Sequence, residues 1–147
     1  EMLWSQEVSK AFSFQCNLIA YRNQIDAFSV FNLYPRPNSY TSETQEIYSG
    51  SVKWNGLLHF PNQWNAQFSA VYFAPDLIPQ GKIGQRFSFD LGLKKSVNQG
   101  KGEYFINATD VLNSMVIRKD IQGKDFNLQS ADYYETQVIR IGFAQKF

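Results

Sequence analysis

Apolar and polar residues alternate one for one along much of the chain, in segments rich in β-branched and aromatic residues that Gly, Pro, Asn and Asp clusters interrupt. A period of two marks a strand with one apolar face, and no stretch carries the 3.6-residue period of an amphipathic helix. The chain therefore reads as all-β, with strands over 2–9, 12–33, 45–60, 64–74, 85–97, 102–112 and 134–147. Counted from the tight turns, one face carries Phe12, Phe14, Leu18, Tyr48, Val52, Trp54, Phe60, Trp64, Phe68 and Tyr72, then Phe87, Leu91, Tyr104, Ile106, Ile139, Ile141, Phe143 and Phe147. The other face carries Ser13, Gln15, Lys53, Asn55, Gln67, Ser69, Asp90, Lys94, Asn107 and Arg140, with Ile19 and Phe105 as exceptions.

The connections also alternate. Tight ones fall at Ser9-Lys10, Pro61-Asn62-Gln63 and Asn98-Gln99-Gly100-Lys101, compositions suited to hairpin turns. Long ones cover 35–44, 75–84 and 113–133. Short turns at one rim and long loops at the other describe an antiparallel up-and-down sheet, the arrangement of transmembrane β-barrels. On the apolar face Phe12, Phe60, Trp64, Tyr104 and Phe147 lie beside the tight turns, while Tyr48, Tyr72 and Phe87 lie towards the long loops. Two belts of rings around an aliphatic band suit the two interfaces of a bilayer. A basic charge facing lipid at midplane costs roughly 2–4 kcal/mol; Lys53, Asp90 and Arg140 point the other way, and Arg22 and Lys95, on the apolar face, sit near strand ends. Alternation alone also fits a soluble β-sandwich or lipocalin-like binding module with the apolar face turned inward. The ring belts, the Ser/Gln/Asn character of the polar face and the alternating loop lengths favour the membrane barrel.

Composition narrows the function. The 147 residues have the length of one domain and no shift in composition divides them. A net charge of +1 gives no field that would draw nucleic acid. The single Cys16 excludes an internal disulfide, and with the single His59 it leaves too few soft ligands for zinc, so neither metal nor cofactor is expected. No run approaches the roughly 18 apolar residues of a membrane helix, and the mean hydropathy of -0.36 agrees; neither bears on a β-barrel. A Ser-His-Asp triad would have to use His59, beside a tight turn, and the glycines at 81–84 and 98–102 lack phosphate-loop spacing. No catalytic residue, and no enzyme, is expected. Because Glu1-Met2-Leu3-Trp4 already reads as strand, the chain is expected to begin inside a larger protein.

The stretches FAPDLIPQGKIGQRFSFDLGLKKSV, GEYFINATDVLNS and ETQVIRIGFAQKF, with YRNQIDAF and EIYSGSVKWNG before them, resemble the end of a TonB-dependent receptor, nearest to the outer-membrane β-barrel family common in Bacteroidota. The resemblance covers nearly the whole chain and is most specific in the last 75 or so residues, since strand periodicity alone is loose. It implies a barrel of about 22 strands around an N-terminal plug, of which this chain would supply the C-terminal part, about seven strands, with no plug. The implied activity is import of a nutrient (siderophore, glycan or peptide) across the outer membrane, with long loops extracellular and the C-terminus periplasmic. Implied partners are outer-membrane lipid, the rest of the barrel and its plug, the TonB complex acting through that plug, the barrel-assembly machinery and a surface lipoprotein. A plugless barrel serving as translocon or adhesion surface is the alternative. Ile139, Ile141, Phe143 and the terminal Phe147 resemble the C-terminal strand that the assembly machinery reads by strand addition. Asp110-Val111-Leu112-Asn113 matches the family's DxxN-like turn, with a role in satisfying backbone groups where the ladder ends. The candidate ligand contacts are Arg36, Tyr40, Lys119, Lys124, Asp125 and Tyr133 in the loops, and Lys53, Asp90, Lys94 and Arg140 on the lumen face, the last four also suited to holding a plug.

Overall fold

A computed structural model describes residues 1–35, 37–123 and 126–145. Its strands run, in chain order, β1 (Met2–Ser9), β2 (Phe12–Ile25), β3 (Phe28–Asn32), β4 (Asn38–Ser42), β5 (Gln45–Phe60) and β6 (Trp64–Phe73). There follow β7 (Asp76–Ile78), β8 (Gly81–Ile83), β9 (Arg86–Val97), β10 (Gly102–Thr109), β11 (Val116–Gln122), β12 (Asn127–Tyr133) and β13 (Val138–Gln145). Seven of them form one antiparallel sheet in the order β1-β2-β5-β6-β9-β10-β13, a meander whose two outer strands leave its edges open.

Directly opposed residues of antiparallel strands share a face, so the register tests the alternation. Phe14 faces Gly56, Gly56 faces Phe68, Phe68 faces Leu91, Leu91 faces Ala108 and Ala108 faces Ile139. One step along, Gln15, Asn55, Ser69 and Asp90 form the matching polar row. This apolar row crosses six strands, from β2 to β13, while on β1 the same face carries Met2 and Trp4 with Gln6 opposite Phe14. The apolar face is also uncovered: Tyr48 is 78% exposed and Ile141 77%, whereas Leu77 of β7 is the buried hydrophobic side chain among the described residues. A trough of about 760 Å³ runs over the opposite face from β1 to β10, lined mainly by side chains such as Ser13, Gln15, Asn55, Gln67, Ser69 and Asn107. The sheet thus curves with its polar face concave and its apolar face convex. A lipocalin-like barrel or sandwich would need the reverse.

The three tight turns lie at one rim, where Asn62, Gln63, Asn98 and Gln99 adopt positive φ, as hairpin turns require. At the other rim the structure departs from the sequence expectation, because the long connections carry strands of their own. The expected strand 12–33 stops at Ile25: Gln24 turns its amide onto Asp26 and the Ala27 N–H donates to Thr44 Oγ1, closing the base of a separate hairpin, β3–β4. The stretches 75–84 and 113–133 form hairpins β7–β8 and β11–β12, which join through Lys119 opposite Ile83 and Ile121 opposite Gly81 into a four-stranded roof sheet, β12-β11-β8-β7. The expected strand 102–112 ends at Thr109, since Asp110 turns at φ 44, and the expected 134–147 starts only at Val138. Lys146 and Phe147 lie outside the described residues.

Gly50 shows how closely β2 and β5 approach: a Cβ there would collide with the carbonyl oxygen of Ile19. Gly84 has ordinary space. Gly50→Ala is expected to weaken the sheet by about 1–3 kcal/mol and Gly84→Ala to change it little, read as the urea midpoint of folding into vesicles; equal midpoints would contradict the packing.

Candidate functional site

The concave wall and the roof above its long-loop rim are the two places where polar side chains converge. On the wall, Lys53, Asp90, Lys94 and Arg140 all lie on the polar parity, so the register brings the four expected lumen residues to one surface. Their roles differ. Lys94 pairs with Glu103 at 3.0 Å across β9 and β10, a part-exposed pair worth about 0–1 kcal/mol. Asp90 Oδ1 accepts the backbone N–H of Asp110 at 2.8 Å and the Ser88 hydroxyl at 3.3 Å, so it serves the rim. Lys53 and Arg140 are exposed and, among the described residues, make no ion pair. These two present charge to whatever fills the concavity. His59 also lies on this face, at the tight-turn rim, where Nδ1 meets Asn65 Oδ1 at 2.5 Å rather than a carboxylate.

The roof is held by two carboxylates. Asp110, with no exposed surface, accepts hydrogen bonds from the Ser114 N–H at 3.0 Å, the Met115 N–H at 3.2 Å and the Thr136 hydroxyl at 2.5 Å. Ser114 in turn donates to the Phe87 carbonyl at 2.9 Å. One side chain therefore ties both ends of the β11–β12 excursion to the top of β9 and β10. Burial pushes the Asp110 carboxyl upward, but these donors outweigh it and hold it below its ordinary value of 3.8. Asp76 does the same for the β7–β8 hairpin, accepting from the Tyr21 hydroxyl at 2.5 Å and the Asn23 amide at 2.7 Å. There too the burial effect is overcome, by Tyr21, Asn23, the Leu77 N–H and the charge of Arg86. Leu77 is buried beside these bonds, against β2 and β5.

Of the expected loop contacts, Tyr40 in β4 donates to the Gln122 carbonyl at 3.2 Å, joining the first hairpin to the roof. The Tyr133 hydroxyl donates to Asn113 Oδ1 at 2.9 Å. Lys119 pairs with Asp132 at 2.8 Å, and that hydrogen bond and charge raise its pKa. All three brace the roof. Arg36, Lys124 and Asp125 lie outside the described residues. Two adjoining clefts, of about 540 and 450 Å³, share Gln45 and Gln122 and open between roof and first hairpin. Asn127 and Gln129 line one beside Glu46, Lys82 and Asp120, and Ser39, Thr41 and Ser42 line the other beside Glu43, a mixed polar and charged surface that sequence reasoning missed. Its donors come from segments far apart in sequence. Tyr21 and Asn23 could have been noticed, since they sit on the polar parity at the loop end of β2.

Ile139, Ile141 and Phe143, expected to serve as an assembly signal, lie on the convex face of β13, an edge strand of the sheet. Among the ring belts, Trp64 and Tyr72 stand at either end of nine residues of β6, close to the ~9–11 residues of a tilted crossing. Phe60 opposes Trp64 and Phe87 opposes Tyr72, so each belt is continuous between neighbours. Phe12 stands at the tight-turn end of β2, and Tyr48 lies farther towards the long loops on β5.

The family model described as outer membrane protein beta-barrel family matches residues 1–144. No curated protein and no solved structure matches the chain.

Because Asp110 and Asp76 titrate below their unfolded value, their stabilisation is complete above about pH 4 and is lost as pH falls through the lower folded values. Acidification should therefore raise hydrogen exchange in 76–83 and 111–137 before it does so in the seven long strands. Asp110→Asn should loosen 111–137 at neutral pH by roughly 2 kcal/mol. Unchanged exchange in that variant would show that the carboxylate does not hold the roof.

Proposed function

The chain belongs to the outer membrane protein beta-barrel family, and from that we propose that it forms the C-terminal wall of a TonB-dependent receptor importing a nutrient across the outer membrane. The observation that carries this reading is the pairing of a convex apolar sheet with a concave polar wall whose exposed Lys53 and Arg140 face inward. An open sheet edge is not tolerated in hydrocarbon, so further strands complete the barrel on both sides, and a plug inside it meets Lys53 and Arg140. The roofed rim faces outward from the cell and the tight-turn rim faces the periplasm.

In this reading the clefts receive the solute, their amides and hydroxyls exchanging hydrogen bonds with its polar groups while Lys82 and Asp120 offer charge beside them. The wall does no chemistry; gating belongs to the plug and the TonB complex, and the barrel-assembly machinery and a surface lipoprotein are further partners. The second reading is a plugless translocon or adhesion barrel, which the same wall would serve.

Conductance separates the two. The full-length protein in planar bilayers should conduct little, and Lys53→Ala with Arg140→Ala should raise its conductance by loosening the plug; wild-type channels that stay widely open would overturn the receptor reading in favour of a plugless pore.

A further inference from the structure

One cation breaks the apolar character of the convex face near the tight-turn rim. The register places Phe60, Trp64, Lys95, Tyr104 and Phe143 in a single row across β5, β6, β9, β10 and β13. Lys95 is the centre of that row, half-buried, with its Nζ 5.0 Å from the centroid of the Trp64 ring. Its other neighbour, Tyr104, stacks obliquely on Phe143 with ring centroids 4.8 Å apart. Among the described residues no carboxylate lies within ion-pair distance of Lys95. The contrast with the opposite rim is direct, because there Arg22 on the same face is neutralised by Glu46.

An ammonium held on an aromatic face, at the level where rings mark the edge of the apolar band, keeps its stem in hydrocarbon and its charge in the headgroup layer. Among the described residues no anion meets this cation, and the group that lipid supplies at that depth is a phosphate. Trp64 and Tyr104 flank the charge with an indole N–H and a phenol hydroxyl, donors suited to the ester and phosphate oxygens of a headgroup. Lys101 in the adjoining β9–β10 turn adds positive charge on the same rim. We propose that Lys95, flanked by Trp64 and Tyr104, forms a binding site for the phosphate of an anionic glycerophospholipid on the outer surface of the barrel. The site lies on the lipid side of the wall and is independent of whether the barrel carries a plug.

The test titrates the full-length protein in detergent micelles with water-soluble dihexanoyl phosphatidylglycerol or dihexanoyl phosphatidylcholine and counts bound lipid by native mass spectrometry. Wild type should prefer phosphatidylglycerol by about fivefold, the effect of one basic residue at an anionic interface. Lys95→Gln should erase that preference and Lys95→Arg should keep it, with Lys95→Met as the uncharged comparison where the Gln variant does not fold. Equal binding of the two lipids by wild type, or a preference that survives loss of the charge, would overturn the proposal. Displacement of phosphatidylglycerol by millimolar inorganic phosphate would also overturn it, by showing a free-anion site in place of a lipid site.

Discussion

Register is the constraint on which everything else in this fold depends. A slip of one residue between any two of the seven long strands would carry Lys53, Asp90 or Arg140 onto the convex face and turn Trp54, Phe68 or Leu91 into the concavity. The penalty for a charge on the lipid face, a few kcal/mol at midplane, makes such slips costly in a bilayer. In water the preference would run the other way, because the convex face leaves its large apolar side chains uncovered. The sheet is stable where its surroundings are hydrocarbon on one side and water on the other.

The two rims are built differently. At the tight-turn rim the chain reverses in two to four residues and the wall simply ends. At the other rim the three excursions fold into a hairpin and a four-stranded roof, fastened by Asp110 and Asp76 to the ends of the long strands. Several side chains with the right chemistry for a ligand are committed to this fastening, as Lys119 is to Asp132 and Tyr40 to Gln122. Under the proposed import, the groups left to a solute are the amides, hydroxyls and charges of the clefts, Lys82 and Asp120 among them, and those left to the barrel's contents are Lys53 and Arg140.

The wall was legible in the sequence because its signal is local: each strand states its face through its own alternation, and Asn-rich turns punctuate it. The roof was not. In β11 the residues Ile117, Lys119 and Ile121 alternate with Arg118, Asp120 and Gln122, so both faces carry charge or amide and the segment reads as solvated loop. Its pairing with β8 joins residues nearly forty positions apart, as in Lys119 with Ile83, which no periodicity announces. Asp110 could be read as a turn residue, yet its bond to Thr136 spans 26 positions and becomes visible only in the fold. Likewise Lys95 was readable as a charge at a strand end, while its place at the centre of an aromatic row needed the register of five strands.

This fold and every role proposed for it require that the convex face meets lipid and the concave face does not. Spin labels placed singly along β13 from 138 to 143, in a Cys16→Ser background of the full-length protein reconstituted in vesicles, test it most directly. Collisions with oxygen should peak at positions 139, 141 and 143, where the side chains face outward, and fall at 138, 140 and 142, in a strict period of two. A profile in the opposite phase, or one without a period, would show that the convex face is not the lipid-facing one.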